Sequence, residues 1–233
     1  IVNDRGIHRI SLHRFYCCTR EMLRVCLSAM FGSIFFWPQS QILYHPDTYY
    51  EDPQEEEKCL ELQVRDVFFH SKDGTRLHGQ WLPARNSIYG KKYPTILFCH
   101  GNRGTIQDSF IYATTLNSIP NRNVFIWDYR GYGKSEGVAH ESGIKLDSEA
   151  AFEFAWSHPS TETTNFTVYG HSLGGGVAFY LGNRFTDQIN FLIIENSFYS
   201  IPHHLRVVMP PFVSFLGEFI FERWESWKDF EQM

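Results

Sequence analysis

The residues best suited to chemistry are Gly170-His171-Ser172-Leu173-Gly174, a G-x-S-x-G element. The apolar stretch Phe166 to Tyr169 before it reads as a strand, and Leu173 to Asn183 after it reads as a helix. A sharp strand-to-helix turn would strain the backbone of Ser172 and lift its hydroxyl above a sheet. Side chains two residues to either side would clash, so glycine is needed at 170 and 174. The same turn would set the backbone N–H of Leu173 at a helix N-terminus, where partial positive charge favours an oxyanion. Gly175 and Gly176 would let the helix pack close to the sheet. Alone the pattern is weak: chance produces it in about one chain in ten to twenty of this length. The strand–helix junction separates it from an ordinary glycine-rich turn.

Two further loops carry polar groups. His100-Gly101-Asn102-Arg103-Gly104 follows the apolar run Pro94 to Cys99. An acyl-transfer site needs a second backbone donor for developing negative charge, and the N–H of Asn102 is the candidate. Gly101 and Gly104 would let the backbone approach a substrate. His100 has the chemistry of a general base, but it ends a strand and precedes the serine, so a structural role is expected. Asp128-Tyr129-Arg130-Gly131-Tyr132-Gly133-Lys134-Ser135-Glu136-Gly137 follows the strand Asn123 to Trp127. Asp128 and Arg130 are expected to organise this loop rather than react, since roles follow geometry.

These elements need a scaffold. Val64 to His70 and Leu77 to Leu82 read as strands joined through Ser71-Lys72-Asp73-Gly74-Thr75, a hairpin signal. Continuous apolar runs at 94 to 99 and 123 to 127 fit strands covered on both faces. Helices are expected near Gln107 to Asn117 and Gly143 to Trp156, with Ile144, Ala151, Phe152 and Ala155 on one inner face, and a further strand at Asn190 to Ile194. Strands alternating with helices imply a mostly parallel sheet with helices on both faces, mixed by the opening hairpin.

Composition narrows the function. The chain has 233 residues, 43% of them apolar and 20% charged, with net charge −5 and no basic face after residue 24, which excludes nucleic acid as the expected partner. Five irregularly spaced cysteines (Cys17, Cys18, Cys26, Cys59 and Cys99) form no CxxC pair or Cys/His cluster, so neither metal nor cofactor is expected. Cys17 and Cys18 could be acylated or could be plain thiols. Asn165-Phe166-Thr167 is a glycosylation sequon adjoining a strand, a poor place for modification.

HGNRG, DYRGYGKSEG, LDSEA at 146 to 150, GHSLGG and ENSFYSIP, in this order from about residue 60 on, resemble the α/β-hydrolase superfamily. Within it they look like the subfamily of alpha/beta-hydrolase domain-containing protein thirteen and its fungal relatives. The resemblance implies an α/β-hydrolase fold, serine hydrolysis of an acyl substrate (a lipid or an acylated protein), and a single-pass membrane anchor at the N-terminus. It also implies an acid and then a histidine on later strands, which the chain reaching Met233 does not include; the fold is thus expected to be incomplete at its C-terminal end. His203 and His204 lie after Ser172 but not where such a base belongs. Asp187, Glu195 and Asp229 have carboxylates that no spacing singles out. The chain alone is expected to be nearly inactive.

The expected organisation is a basic segment with an anchor (1–45), an acidic linker (46–60) and a partial hydrolase domain (61–233). Val25 to Trp37 is uncharged, preceded by Arg5, Arg9, Arg14, Arg20 and Arg24 and followed by acidic residues, which favours a cytosolic N-terminus. Its thirteen residues fall short of the roughly 20 needed to span a bilayer. A surface helix is the alternative. The first residue is Ile, so the front end could be incomplete too. The aromatic stretch Phe212, Phe215, Phe219, Phe221, Trp224, Trp227 and Phe230 reads as core packing or as a lid over an acyl chain. The leading function is a serine esterase or thioesterase. A serine peptidase and a non-catalytic scaffold on the same fold are the rivals.

Overall fold

The computed structural model describes residues 43–47, 53–208 and 222–233. After a first helix, α1 (Pro53–Glu61), come β1 (Arg65–His70), β2 (Arg76–Leu82), β3 (Tyr93–Cys99), α2 (Phe110–Asn117), β4 (Asn123–Trp127), α3 (Glu141–Ser157), β5 (Thr161–His171), α4 (Leu173–Arg184), β6 (Phe191–Glu195), α5 (Ile201–Val208) and α6 (Ser226–Gln232). One six-stranded sheet has the order β1-β2-β4-β3-β5-β6. β1 and β2 pair antiparallel, as do β2 and β4; β4, β3, β5 and β6 run parallel. This is the α/β-hydrolase fold that the sequence suggests.

The hairpin turn forms as the Asp-Gly pair dictates: Gly74 takes φ +88°, where an L side chain is strained, and Ser71 N–H donates to Thr75 O over 2.9 Å. In the central strands alternate residues serve opposite faces. Leu97, Cys99, Phe125, Trp127, Phe166 and Val168 join Ile144, Ala151, Phe152 and Ala155 of α3 and Val177, Ala178 and Leu181 of α4 in one core. Ile96, Phe98, Val124, Ile126 and Tyr169 join Ile106 and, from α2, Phe110 and Ala113 in the other. Helices therefore cover both faces. α3 stops at His158, whose extended backbone is what a following Pro159 imposes.

Several expectations need adjusting. β5 runs 11 residues, longer than its apolar centre suggests, because the polar stretch Thr161–Asn165 extends it toward Tyr93. The stretch 46–60, expected to be a linker, includes most of α1. The expected membrane placement is withdrawn. Among the described residues no helix is long and apolar enough to cross a membrane; α3, with 17 residues, carries charges along its length. The segment 25–37 that carried the expectation of a single-pass anchor lies outside the described residues. Its thirteen residues were already too few. Phe212, Phe215, Phe219 and Phe221 also lie outside, so the lid reading is left with Trp224, Trp227 and Phe230. Of these Trp224 is buried, packed against Gly176 of α4.

Candidate active site

β3 and β5 are neighbours, with Cys99 opposite Gly170, yet the chain leaves them in different directions. β3 leads to α2 on one face, and β5 leads to α4 on the other. A crevice opens where strand order reverses in this way, which is the usual binding position in such sheets. The loop after β3 and the turn after β5 both end there.

The turn has the geometry its glycines anticipate. Ser172 sits at φ +55°, ψ −114°, a region non-glycine residues rarely occupy, and directly precedes α4. A Cβ on Gly170 would come within 2.2 Å of Gly174 O, and one on Gly174 within 2.0 Å of Cys99 O. No side chain fits at either position. Ser172 N–H donates to Glu195 O (2.9 Å), which ties the apex to β6, and Gly175 N–H donates to Ser172 O (3.0 Å). Gly175 packs on Ser197 and Ile194, so it is the glycine that draws α4 onto β6. Leu173 opens α4, and the first N–H groups of a helix have no carbonyl partner within it.

The loop 100–104 lies against this apex. A Cβ on Gly101 would be 3.6 Å from Ser172 Cβ and 3.2 Å from His171 Nδ1. The His171 ring stacks on Tyr112 of α2 at 5.6 Å, and burial lowers its pKa, with Glu195 opposing. Asn102 is held at both ends: its Nδ2 donates to Leu43 O (2.6 Å), while Tyr132 Oη donates toward Asn102 O (2.9 Å) and Oδ1 (3.0 Å). Gly104 is required for another reason than substrate approach. Its φ is +88° and a Cβ there would strike the Asp108 side chain, whose carboxylate accepts from Thr105 N–H at 2.8 Å.

His100 is fully buried beneath that loop, with Nδ1 2.7 Å from Gly101 O and its ring stacked on Tyr129. Burial lowers its pKa, and Asp128 opposes. Tyr129 Oη donates to His100 O (2.6 Å). Asp128, also buried, accepts from Ile106 N–H (2.8 Å) and faces His78 Nδ1 (3.3 Å), whose Nε2 is 3.1 Å from Asp66. Burial would lower the pKa of His78; the carboxylates of Asp128 and Asp66 outweigh it and leave the value raised. Arg130 grips Asp147 of α3 through Nε (2.9 Å) and Nη2 (2.7 Å), and Nη2 also reaches Asp73 in the hairpin turn (2.8 Å). That fork fastens the loop after β4 to α3 and to the β1–β2 turn.

The residues proposed from sequence thus fall into two groups. Gly170, His171, Ser172, Leu173, Gly174 and Gly101 meet at the crevice, and Asn102 is the next residue of the same loop, bonded to Leu43 and Tyr132. His100, Asp128 and Arg130 lie in the layer that supports it. Sequence reasoning missed His78 and Tyr132. His78 is a lone histidine in a strand and carries no pattern. Tyr132 had a signal, a large aromatic set between two glycines in a loop rich in polar residues. Among the described residues no imidazole hydrogen-bonds the Ser172 hydroxyl, and no three of His, Cys, Asp and Glu gather to hold a metal ion. His203 and His204 belong to α5, where Tyr199 rests edge-on against His203. Glu195 accepts from Tyr169 Oη, Asp229 accepts from Asn183, and Asp187 lies in the turn after α4.

Known proteins give this arrangement a lineage. Protein bem46 of Schizosaccharomyces pombe is 42% identical over 133 residues, 57% of this chain and 44% of that protein. The alpha/beta hydrolase domain-containing protein WAV2 of Arabidopsis thaliana is 35% identical over 158 residues, 68% of this chain and 50% of that protein. The chain spans about half the length of these curated relatives. A solved Pyrococcus furiosus esterase, Pf2001, shares the fold at TM-score 0.58 and 17% identity, over 82% of this chain and 72% of its own. Residues 90–230, more than half the chain and the part that carries β3, the turn at Ser172 and β6, match the family described as Serine aminopeptidase, S33. The chain therefore belongs to that family, within the α/β-hydrolase superfamily.

Proposed function

We propose that this protein is a serine hydrolase that cleaves a carboxylic ester or thioester, a lipid or an acylated protein, with Ser172 as nucleophile. The observation that carries the reading is the backbone of Ser172: φ +55°, at a turn whose two flanking glycines leave no room for a Cβ. Strain of this kind costs about 1–3 kcal/mol and persists where the surroundings enforce it, commonly at reactive residues. Ser172 attacks the acyl carbonyl, its proton passing to a histidine base. The N–H groups of Asn102 and Leu173 hold the tetrahedral oxyanion. No described histidine is assigned as that base and no described carboxylate as the acid. Turnover by these 233 residues alone is accordingly proposed to be very weak, reflecting only oxyanion and binding contributions. Residues 61–233 form the hydrolase unit in this reading.

The test is covalent labelling with a fluorophosphonate, comparing the parent with Ser172→Ala. Labelling that disappears in the variant supports the assignment; equal labelling of both removes Ser172 as nucleophile, and labelling of neither favours a scaffold role. The family description favours a second reading, a serine peptidase. It uses the same serine, and cleavage of aminoacyl amides in preference to acyl esters would select it.

A further inference from the structure

Residues 43–47 form a strap with little regular structure, and four contacts fix its course. Leu43 O accepts from Asn102 Nδ2 (2.6 Å), His45 forms a parallel β-bridge with Arg103, and Asp47 O accepts from Gly133 N–H (3.1 Å). Between them Tyr44 is buried to 3% exposure. Its hydroxyl accepts from Trp224 Nε1 (2.8 Å) and donates to Glu222 (2.7 Å). Glu222 in turn accepts from Glu141 N–H at the start of α3, and the Glu141 carboxylate accepts from Arg223 N–H (2.6 Å) and Trp224 N–H (2.9 Å). One side of the strap grips the loop 100–104; the other is anchored through a single phenol to the C-terminal segment and the head of α3.

We infer that the strap sets the position of the Asn102 amide, and that Tyr44 and Tyr132 are positioning residues for the acyl-transfer step. The inference rests on the oxyanion role given to Asn102 above. Four contacts make the case. The Asn102 side chain lies between the Leu43 carbonyl and the Tyr132 hydroxyl, and the same hydroxyl reaches the Asn102 backbone carbonyl, so a reorientation of this residue disturbs at least one of these bonds. The strap has no helix or sheet ladder of its own to hold it. Besides the single bridge at His45 and the bonds at Leu43 and Asp47, its stiffness comes from the buried Tyr44 ring and the two hydrogen bonds at its tip. Donors that must meet a developing charge lose effect quickly when displaced, and an error of about 1 Å can cost about 100-fold in rate.

Two variants of the intact protein separate this from simple core filling. Tyr44→Phe keeps the ring and removes both hydrogen bonds. Asn102→Asp keeps the oxygen that Tyr132 approaches and removes the amide that donates to Leu43, while the backbone N–H remains. Both are expected to speed amide hydrogen exchange in residues 100–104 and to lower the maximal rate of fluorophosphonate labelling about tenfold or more, with the half-saturating probe concentration unchanged. Final fluorophosphonate labelling should stay equal to the parent's, which shows the lost rate is not lost folded protein. Exchange in 100–104 that matches the parent in both variants, or a maximal labelling rate that does not fall, overturns the inference. Should Tyr44→Phe not fold, Asn102→Asp decides alone, since that side chain lies in a partly exposed loop. Ser172→Ala is run beside them. If it still labels, the nucleophile assignment fails, and the exchange data still decide whether the strap holds the loop.

Discussion

Replacing Gly174 with alanine adds one methyl group at the tightest point of the site. That methyl would lie 2.0 Å from Cys99 O, 2.5 Å from Cys99 C and 2.6 Å from His100 O. All three are backbone atoms at the end of β3, so no rotamer change relieves the contact. Separations below about 3 Å are not sustained, so the head of α4 and the end of β3 must part by about 1 Å. Forcing a methyl into such a place costs about 3 kcal/mol. Gly174 is also helical, and alanine there returns about 1 kcal/mol of helix propensity. The net expectation is a loss of about 2 kcal/mol in unfolding free energy, read from the urea midpoint. The same displacement separates Ser172 from the loop that leaves β3, so fluorophosphonate labelling should slow by about 100-fold. Gly90→Ala is the control. Its φ is +78°, but nothing lies within 4 Å of the added methyl. Only left-handed backbone strain of about 1 kcal/mol applies there, with no change in labelling rate. If Gly174→Ala unfolds at the parent's urea concentration and labels at the parent's rate, the close-approach argument is wrong.

Other expectations follow from the supporting layer. Asp147→Asn leaves the 5%-exposed Arg130 without its forked carboxylate and should cost about 3–5 kcal/mol in urea unfolding, as removal of one partner of a buried pair does; a loss under about 1 kcal/mol would show that Asp73 alone satisfies the guanidinium. His78, with its pKa raised in the fold, contributes stability that is complete below its ordinary value of 6.5 and is lost as pH rises through the raised value. The stability gap between the parent and His78→Asn should therefore narrow toward alkaline pH, by at most about 1.4 kcal/mol per pH unit, and a gap that widens would contradict the pairing with Asp66 and Asp128. Ser172→Ala should abolish labelling while leaving the urea midpoint unchanged or raised, because alanine has no hydroxyl to accommodate at the crevice.

The sequence disclosed most where chemistry and backbone impose the same residue. Gly170 and Gly174 were readable because no other side chain fits, and β3 and β4 because both of their faces are buried. The inner face of α3 was readable from Ile144, Ala151, Phe152 and Ala155, all of which the core takes in. What stayed hidden depends on residues far apart in the chain. Tyr44 meets Trp224 and Glu222, and His78 sits between Asp66 and Asp128; no local pattern announces such pairings. The polar start of β5 was hidden because it meets β3 only at Thr161, opposite Tyr93, across a break in register, and carries no apolar run. The membrane placement leaned on the family resemblance and on a thirteen-residue run outside the described residues, and no described helix is long and apolar enough to cross a membrane.

The adjacency of β3 and β5 has a kinetic consequence. Cys99 and Gly170 are partners across the sheet, with α2, β4 and α3 all intervening in the chain. Closing so long a loop is slow, because its entropy is lost before the pairing gives anything back. The nucleophile and the loop after β3 are therefore expected to come together later than the local β1–β2 hairpin forms. A partly folded chain holding only the β1–β2 hairpin and its neighbours has no working crevice, so reactivity toward a serine-directed probe would report the β3–β5 pairing in a refolding experiment.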